Sequence, residues 1–592
     1  MSDEDGPLSG LLARAYFQID RRVLALFRVT LAFALISELA RRALHTTTLF
    51  SNQGVLPNHF VFFAPQSRPQ FSVFLPFSEP DEVKLAFALA GLVYVLLAVG
   101  FHTRVMSVLA FMAAFSLNTR NLFIEDGGCA ALSIMAAWGM FFPLGDRFSV
   151  DAVRRGVRAE LSGRPLSREA ITAPYVSIAV LGIVLQFALV YFFNALHKKG
   201  LTWREGTAVH YVLWQNRLNT PFAVWLRMHE PGFLSPLLSY GTLLLEACLP
   251  ALALTPYHRV RARTVAVVLA ISLHVGIALT MTLGPFSYAM IALDVLLLPG
   301  EALDWVRDRY LHVRDDVVLR VRGDEMGPRW VAALYRALSG GRFVIATQEH
   351  LDDRFEAEIG GRRASGDEAL EALRAALAAP TRLVARVVAE PLARAQLPWS
   401  APAVTLPERR TLSLRGPREV FVGFFVFAML LQMSVDNPAV PKWLRFAPFG
   451  PLKAMNDYPR LIQAWNMFSP DAPTDDGILV VDAVTASGRH VDPFTGQPPD
   501  FERVHHGPVA HSAAIGDYVS NVRSDSNKRY RPDFERYVLD WVPPGEPRGD
   551  GETGAKDRVV SFDAYWVSHD SPVPGSLTPT NLRKELSFSG KR

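Results

Sequence analysis

Residues 191–211 read YFFNALHKKGLTWREGTAVHY, a long apolar run that stops abruptly at Lys198 and Lys199. A lysine at the end of a membrane-buried helix can be held neutral by desolvation, and a neutral amine is a base. Composition alone favours a simpler interpretation, in which both lysines extend their amines to the membrane surface and Trp203 belongs to the interfacial aromatic belt. Both interpretations require a membrane protein.

The whole chain has the composition of a membrane protein with soluble additions. Half of its 592 residues are hydrophobic and only 20% are charged. The net charge of +4 is small for this length and forms no basic patch, which argues against a nucleic-acid partner. The only cysteines, Cys129 and Cys248, fall within apolar helical runs and predict neither a disulfide framework nor a metal site.

Hydropathy predicts nine membrane-spanning helices, eight in the first half of the chain and one near residue 430. Several are shorter than the roughly 20 residues that a straight span needs, so a merged or re-entrant pair stays open. The predicted spans are residues 23–39, 83–100, 105–117, 129–144, 175–196, 234–254, 264–283, 286–299 and 420–435.

Arginines near the helix ends predict the orientation. The loop after the fourth span carries six arginines between residues 147 and 168, and the turn after the sixth carries three between residues 259 and 263. Both segments then lie in the cytoplasm, while the lysine pair and everything after residue 435 lie on the outer face. Four basic residues do not follow the positive-inside rule in this topology: Lys198, Lys199, Arg41 and Arg42. We therefore expect an integral membrane protein with its C-terminal domain outside.

The rest of the sequence predicts two soluble domains beside the transmembrane domain of residues 1–300. Residues 301–395 alternate strand-like segments (316–322, 343–347, 382–389) with helical ones (330–338, 367–377), which predicts a small α/β insert. Residues 396–416 are a predicted linker to the last membrane helix, residues 417–436. Residues 437–592 predict a β-rich domain, with a hairpin turn at Ser487 and Gly488, strands at 537–542 and 558–567, and a surface tail from Pro572.

Ionisable side chains inside the predicted spans are candidate functional residues, because each costs several kcal/mol in hydrocarbon unless it is paired or faces a cavity. Glu246 and His274 lie deep in their spans, where a buried pair that only fixes helix packing is an equally good explanation. Glu38 lies nearer a helix end. Asp294, shortly before Pro299, is more typical of a helix end near the interface.

A second group of candidates lies in LNTRNLFIEDGG, residues 117–128. Asp126 can cap the following helix and the two glycines allow a tight turn, which by itself would explain the motif. Arg120 and Asn121 end an apolar helix with donors suited to an anion or a carbonyl group.

The segment after the lysine pair resembles the lysine-to-tryptophan-to-glycine segment of the vitamin K-dependent γ-glutamyl carboxylase family and its bacterial relatives, which share the HTTM (horizontally transferred transmembrane) domain. The matching residues are Lys198, Trp203, Glu205, Gly206 and Tyr211. HVGIALTMTLGPFSYAMIAL, residues 274–293, resembles that family's histidine helix and its Phe-Ser-Tyr turn, which includes Tyr288. RNLFIEDGG is similar to its third outer loop, so the resemblance covers about residues 21–299 and implies a polytopic helical fold.

The resemblance also implies a function. In the carboxylases a deprotonated lysine removes a proton from vitamin K hydroquinone, oxygen then yields a strongly basic alkoxide that abstracts the γ-proton of glutamate, and carbon dioxide adds. Lys198 matches that lysine best by its distance to Trp203, with Lys199 as a competitor, and His274 would donate to a quinone oxygen or an oxyanion. The implied cofactor is a reduced quinone, and the implied partners are membrane lipid and a protein or peptide substrate on the outer face.

The sequence departs from the family's pattern at two places. The carboxylases have an Asn/His-rich counterpart to RNLFIEDGG, and Cys129 stands where many bacterial relatives carry an acidic residue. The lumenal region that binds a propeptide in the animal enzyme has no recognisable counterpart, so recognition through a propeptide is not implied. A non-catalytic membrane scaffold, or a lipid- or quinone-binding protein, is the alternative.

The insert carries a second resemblance. VVLRVRGDEMGPRWVAALYRAL, residues 317–338, resembles the opening of the DCC-type thioredoxin-like oxidoreductases, in which a strand leads to an Asp-Cys-x-x-Cys turn and a helix. The matching positions are Asp324, Glu325 and Pro328. Neither Glu325 nor Pro328 has a thiol, so the implied domain is thioredoxin-like but incapable of dithiol chemistry.

Overall fold

A computed structural model describes residues 7–59, 71–164, 166–311, 317–322, 325–348, 351–391, 416–502, 513–543 and 557–592. The first half of the chain is a helical bundle with one two-stranded sheet, β1 (Gln18–Ile19) and β2 (Tyr175–Val176). Its helices are α1 (Pro7–Tyr16), α2 (Arg21–Ala43), α3 (Pro80–Val99), α4 (Thr103–Arg120), α5 (Gly127–Gly139), α6 (Val150–Leu161), α7 (Arg168–Thr172), α8 (Ile178–His197), α9 (Leu201–Arg204), α10 (Ala208–Val212), α11 (Pro221–Met228), α12 (Leu234–Leu254), α13 (Arg259–Thr280), α14 (Phe286–Val295) and α15 (Gly300–Val306).

The insert is a four-stranded sheet with helices. Its strands are β3 (Val317–Arg322), β4 (Val344–Gln348), β5 (Phe355–Ile359) and β6 (Arg362–Ser365), in the order β4-β3-β5-β6 with only β3 and β4 parallel. Its helices are α16 (Met326–Leu338), α17 (Gly366–Ala376) and α18 (Ala379–Val384). The predicted α/β alternation is therefore present, including both predicted helices and the first two strands.

The third predicted strand of the insert, residues 382–389, is wrong. This segment is helical, because α18 continues into a π-helical turn, Ala385–Ala389. Ala385 and Ala389 are the buried positions, and their spacing of four is the period of a helix rather than of a strand. Asp324 and all but the last residue of the predicted linker, residues 396–416, lie outside the described residues.

The C-terminal part begins with α19 (Pro417–Asp436) and α20 (Gly450–Asp457). Beyond them lies an antiparallel sheet in the order β10-β9-β7-β8, formed by β7 (Asp475–Thr485), β8 (His490–Val491), β9 (Val559–Asp570) and β10 (Thr580–Lys591). The predicted turn is present, with Gly488 at a φ of +82° between β7 and β8. Helices α21 (Ala513–Arg523) and α22 (Arg531–Leu539) pack against the sheet, so the region is mixed rather than simply β-rich.

Two predictions for this region are wrong. Residues 537–542 are not a strand, because α22 runs to Leu539 with Phe534 and Val538 buried at helical spacing. The tail from Pro572 does not trail over a surface, since β10 pairs with β9 along its length. The Phe588 ring of β10 lies 5.3 Å from that of Phe534 between ring centroids, so packing against α22 holds the strand in place.

Within the described residues, six helices are long and apolar enough to cross a membrane: α2, α3, α8, α12, α13 and α19. A seventh crossing results if α14 and the following helical segment, Gly300–Tyr310, form one span bent by 95°. Two further predicted spans, residues 105–117 and 129–144, fall on α4 and α5. Helix α5 has 13 residues, about 20 Å of helix, which is short for a full crossing. The count of nine therefore stays a prediction.

Ion pairs group the connecting segments at two ends of the bundle. At one end Arg21 pairs with Asp146 and Arg259 with Glu301, and the insert packs there through α16 on α6. At the other end the C-terminal part contacts the bundle, for example through Arg460 and Glu125. This is the predicted grouping of loops, and which end faces the cytoplasm stays a prediction.

The C-terminal sheet docks on the bundle through a buried carboxylate. Asp476 of β7 is 3% exposed and its Oδ1 lies 3.8 Å from Nε of Arg217, in the loop after α10. Burial raises the pKa of Asp476 to about 6, and the Arg217 charge offsets only part of this effect. The folded protein therefore binds this proton more tightly than the unfolded chain does.

We predict that Asp476→Asn stabilises the protein at neutral pH. The stability supplied by the protonated carboxyl is fully present below the unfolded pKa near 3.8 and is lost as pH rises through about 6, by about 3 kcal/mol in total. The thermal unfolding midpoint of the purified variant should therefore be higher than that of wild type at pH 7.5. The difference between the two midpoints should shrink toward pH 4. The exposed neighbour variant Asp475→Asn should show no such pH trend, and a destabilised Asp476→Asn at pH 7.5 would contradict the prediction.

Candidate functional site

Lys198 lies at the carboxyl end of α8 with a buried side chain that is 4% exposed. Its Nζ lies 2.6 and 2.5 Å from the two carboxylate oxygens of Glu246 in α12. The same nitrogen lies 4.8 Å from the ring of Trp203, a cation–π distance. Lys199 is exposed, so the geometry singles out Lys198 as the lysine of a buried site.

One face of α8 carries polar groups toward this site. Tyr191, Asn194 and Lys198 are spaced by three and four residues, which aligns their side chains along the helix. Asn194 Nδ2 donates to Glu246 Oε1 at 3.5 Å, so the carboxylate faces both the lysine and the amide. This spacing was a sequence signal for Tyr191 and Asn194, two site residues that sequence reasoning missed.

His274 of α13 lies in a second buried group next to the first. Its Nε2 is 2.7 Å from the hydroxyl of Tyr191, which donates to Asp294 Oδ1 at 3.0 Å. The tautomer that fits both contacts carries its proton on Nε2, which leaves Nδ1 as an acceptor. Among the described residues, His274 Nδ1 and Asp294 Oδ2 have no hydrogen-bond partner. In this tautomer Nε2 donates to Tyr191 and the nitrogen left open, Nδ1, is an acceptor, whereas the family resemblance implied a donor to the quinone or oxyanion.

Asp294 is a helix-end residue as predicted, because α14 ends at Val295. It does not lie at a surface, however: its side chain is fully buried and its Oδ1 accepts a hydrogen bond from Tyr191 of α8. The reason is tertiary, because α14 packs on α2, α5 and α13 inside the bundle and ends in a bend rather than at a surface. Helix α8 connects the two buried groups, because it carries both Tyr191 and Lys198.

Residues 465–471, which we call the strap, bind residues on both sides of Lys198 in the chain, from Asn194 to Trp203. Backbone atoms of the strap make most of these bonds. Its Met467 N–H donates to Asn194 Oδ1 at 3.2 Å, and its Phe468 carbonyl accepts from Trp203 Nε1 at 2.7 Å. Asp471 caps α9 by accepting from Thr202 N at 2.8 Å, an approach possible because Gly200 has no side chain in the way. The soluble part of the chain thus closes the site.

The other predicted pocket residues lie around the site or away from it. Tyr211 packs on the Trp203 cluster, and Gly206, at a φ of +71°, packs on Pro236. Glu205 is exposed, and Tyr288 is 38% exposed with its ring against Phe33.

Arg120 and Asn121 are fully buried in a different place. Their side chains donate to backbone carbonyls of residues 49–56, for instance Arg120 Nη1 to Leu56 at 2.9 Å and Asn121 Nδ2 to Leu49 at 2.9 Å. They hold the loop after α2 rather than line the Lys198 site. Asp126 caps α5 as predicted, accepting from Cys129 N at 2.7 Å.

A separate buried cluster surrounds Glu38 in α2. The carboxylate accepts from Arg41 Nε at 2.9 Å and from Arg42, whose Nη2 also donates to Asn118 at 2.9 Å. Arg42, Asn118 and Tyr94 line a cavity of about 10 Å³, the size of one water molecule. The departures of Arg41 and Arg42 from the charge rule therefore have a physical reason, because both pair with Glu38.

We predict that Glu38→Gln destabilises the membrane domain. The substitution leaves the fully buried Arg42 without a full counter-charge, and breaking a buried ion pair costs about 3–5 kcal/mol. Denaturant titration of the purified protein in detergent should show this loss. Glu301→Gln, which removes a half-exposed partner of Arg259, should cost at most about 1 kcal/mol. Equal effects of the two variants would contradict the assignment.

The apolar helices and their enclosed charged pairs define an integral membrane protein with a polar site inside its helical bundle. Residues 16–305 match the family model of the HTTM domain. This range covers the bundle from the end of α1 to α15, close to the residues 21–299 over which the sequence resembles that family. No curated protein matches the chain, and no solved structure does.

Proposed function

We propose that this protein is a membrane enzyme of the carboxylase type, which uses a reduced quinone, oxygen and carbon dioxide, with Lys198 as the base. The observation that carries the proposal is the enclosed pair of Lys198 and Glu246 beside Trp203, within the region that matches the HTTM domain. Membrane proteins bury an ion pair in hydrocarbon at a cost, so such pairs mark functional sites more often than random positions do.

Lys198 can act as a base only after its ammonium group loses a proton. Glu246 is the acceptor in contact with it, and proton transfer between them replaces two buried charges with a neutral pair. A low-dielectric surrounding favours the neutral pair because both charges avoid desolvation. The surroundings support this role because the Lys198 side chain is only 4% exposed, and the strap binds Asn194 and Trp203 beside it.

The residues present fit a quinol. A quinol, when bound, supplies two electrons and a phenolic proton. His274 Nδ1 and Asp294 Oδ2 are buried acceptors without a partner among the described residues, and a phenolic hydroxyl group is a donor that would satisfy either. Tyr191 orients both side chains through its hydroxyl. Lys198 would then take the proton of the second hydroxyl.

The predicted outer-face substrate remains part of the proposal. A glutamate side chain of a protein or peptide is the acceptor that the family resemblance implies. The bacterial inner membrane and an outward-facing C-terminal domain are the location that fits this substrate.

The insert is proposed to be a thioredoxin-like domain without redox activity. Strand β3 is followed by helix α16, in the order of that resemblance. Glu325 pairs with Arg322 and Arg354 where a thiol would be needed. A role in binding a partner protein is therefore more consistent than a role in electron transfer.

The alternative is a non-catalytic scaffold or a lipid- or quinone-binding protein. One observation favours it: both oxygens of Glu246 contact Lys198, as expected of a pair that only fixes the packing of α8 on α12. In that case the strap serves to seal a structural ion pair.

We predict that Lys198→Ala abolishes hydroquinone-dependent oxygen uptake by the protein in lipid vesicles. Loss of a general base lowers the rate by about 10²–10⁴-fold. Lys199→Ala removes the exposed neighbour and should leave the rate within about twofold, since surface substitutions away from special contacts are close to neutral.

Thermal midpoints and gel filtration test whether both variants fold. A folded Lys198→Ala protein with full activity, or loss of activity in Lys199→Ala alone, would exclude Lys198 as the base. Folded wild-type protein without hydroquinone-dependent oxygen uptake, and without carboxylated glutamate on co-expressed proteins by mass spectrometry, would favour the binding protein.

A further inference from the structure

The chain folds back on α19 after this helix ends. Helix α20 packs back against the span that precedes it, with Leu452 in contact with Ala428 and Leu431. Asn456 Nδ2 donates to the carbonyl oxygen of Ala428 at 3.0 Å. Ala428 lies two turns, or about 12 Å, before the carboxyl end of α19 at Asp436.

This contact fixes the depth of the segment relative to the membrane. Helix α19 has 20 residues, about 30 Å of helix, which matches the thickness of the hydrocarbon core. A helix that contacts Ala428 and Leu431 therefore lies beside the part of α19 that crosses the leaflet. Residues 440–457 leave α19, turn and fold back along it, and we call them the re-entrant hairpin.

The outer surface of the re-entrant hairpin is apolar. Trp443 is 75% exposed, Phe446 60% and Phe449 68%, although exposed aromatic side chains of this size are unusual on a water-facing surface. All three lie between α19 and α20. Trp and Phe on one side of an interfacial segment are typical of chains that insert into the boundary between headgroups and acyl chains.

The charged residues of the same segment suit a phospholipid surface. The hairpin has three basic residues, Lys442, Arg445 and Lys453, and one acidic residue, Asp457, at its end. Lys442 and Lys453 are exposed, and their long side chains can extend to lipid phosphates.

The backbone of the hairpin and the residues before it leaves fewer polar groups that need water. Prolines at positions 438, 441, 448 and 451 have no N–H group to satisfy. Arg445 donates to the carbonyls of Pro438 and Val440, at 2.6 and 2.8 Å, and so satisfies acceptors that water would otherwise have to serve. Non-helical backbone is tolerated near lipid only when its polar groups are satisfied in this way.

We propose that the re-entrant hairpin is immersed in the lipid leaflet at the carboxyl end of α19, with Trp443, Phe446 and Phe449 among the acyl chains and Lys442 and Lys453 at the phosphates. Its partner is the phospholipid leaflet itself. The strap follows eight residues after the hairpin, so this contact anchors the segment that closes the Lys198 site. The proposal does not depend on catalysis by that site.

A nitroxide label at position 446 tests the depth. Phe446→Cys is made in a Cys248→Ala background, in which the remaining Cys129 is buried and the unsubstituted background measures its labelling. Leu244→Cys on the exposed face of α12 is the control within the membrane, and Leu577→Cys, between β9 and β10, is the control in water. Each protein is reconstituted into vesicles of phosphatidylcholine and phosphatidylglycerol.

The label at 446 should collide with oxygen rather than with a polar nickel chelate, as the label at 244 does. Its ratio of oxygen to nickel collisions should exceed that at 577 by about tenfold, because polar solutes are excluded from hydrocarbon. A ratio equal to that at 577 would place the hairpin in water and overturn the proposal. Low accessibility to both reagents with spin–spin broadening would show a second copy of the chain on this surface and would also overturn it.

A second label at position 449 tests whether the result at position 446 reflects the whole hairpin or only the local effect of one substitution. Phe449→Cys should give the same high ratio, and wild-type gel-filtration profiles for all labelled proteins confirm their folding. Agreement of both labels with the Leu244→Cys control supports the proposal, and a water-like ratio at either position contradicts it.

Discussion

The ion pair between Lys198 and Glu246 is the interaction on which the arrangement of the site depends. Two opposite charges inside a helical bundle are stable only if they meet with good geometry and if water is kept from breaking the contact. Helix α8 delivers the lysine at its carboxyl end, α12 delivers the carboxylate from mid-span, and the strap closes the remaining side. All three elements are needed, because the ion pair requires both charged partners and protection from water.

The same constraint explains why the soluble C-terminal part and the membrane part form one unit. The strap binds mainly through backbone atoms, which are held by Asn194, His197 and Trp203. Further contacts bring α21 and the sheet onto the loops at the same end of the bundle, such as Tyr518 to the carbonyl of Val55 at 3.0 Å. A conformational change in the C-terminal part can therefore alter the surroundings of Lys198 directly through the strap. No movement of the membrane helices is needed.

Much of the architecture could be predicted from the sequence. Long apolar runs predicted the six apolar helices, alternation predicted β3, and the strand-like segments 343–347 and 558–567 predicted β4 and β9. The motif around Lys198 led to the HTTM domain that residues 16–305 match. Predictions failed where burial pattern and local composition disagreed: residues 382–389 are rich in Val and Ala yet helical, and β10 carries polar residues because it is an edge strand with one exposed face. An edge strand forms because its backbone pairs with a neighbouring strand, and the local sequence pattern does not reveal that pairing.

The sequence by itself determined that the chain is a membrane protein, that Glu246 and His274 are costly in their spans, and that a lysine ends α8, because hydrophobicity and charge are properties of single segments. Only the tertiary structure decided that Lys198 rather than Lys199 is enclosed, that Asp294 and Tyr191 join His274, and that Arg120 and Asn121 belong elsewhere. The physical reason is that pairing and burial depend on which faces of distant helices meet, and that is settled by packing rather than by order along the chain.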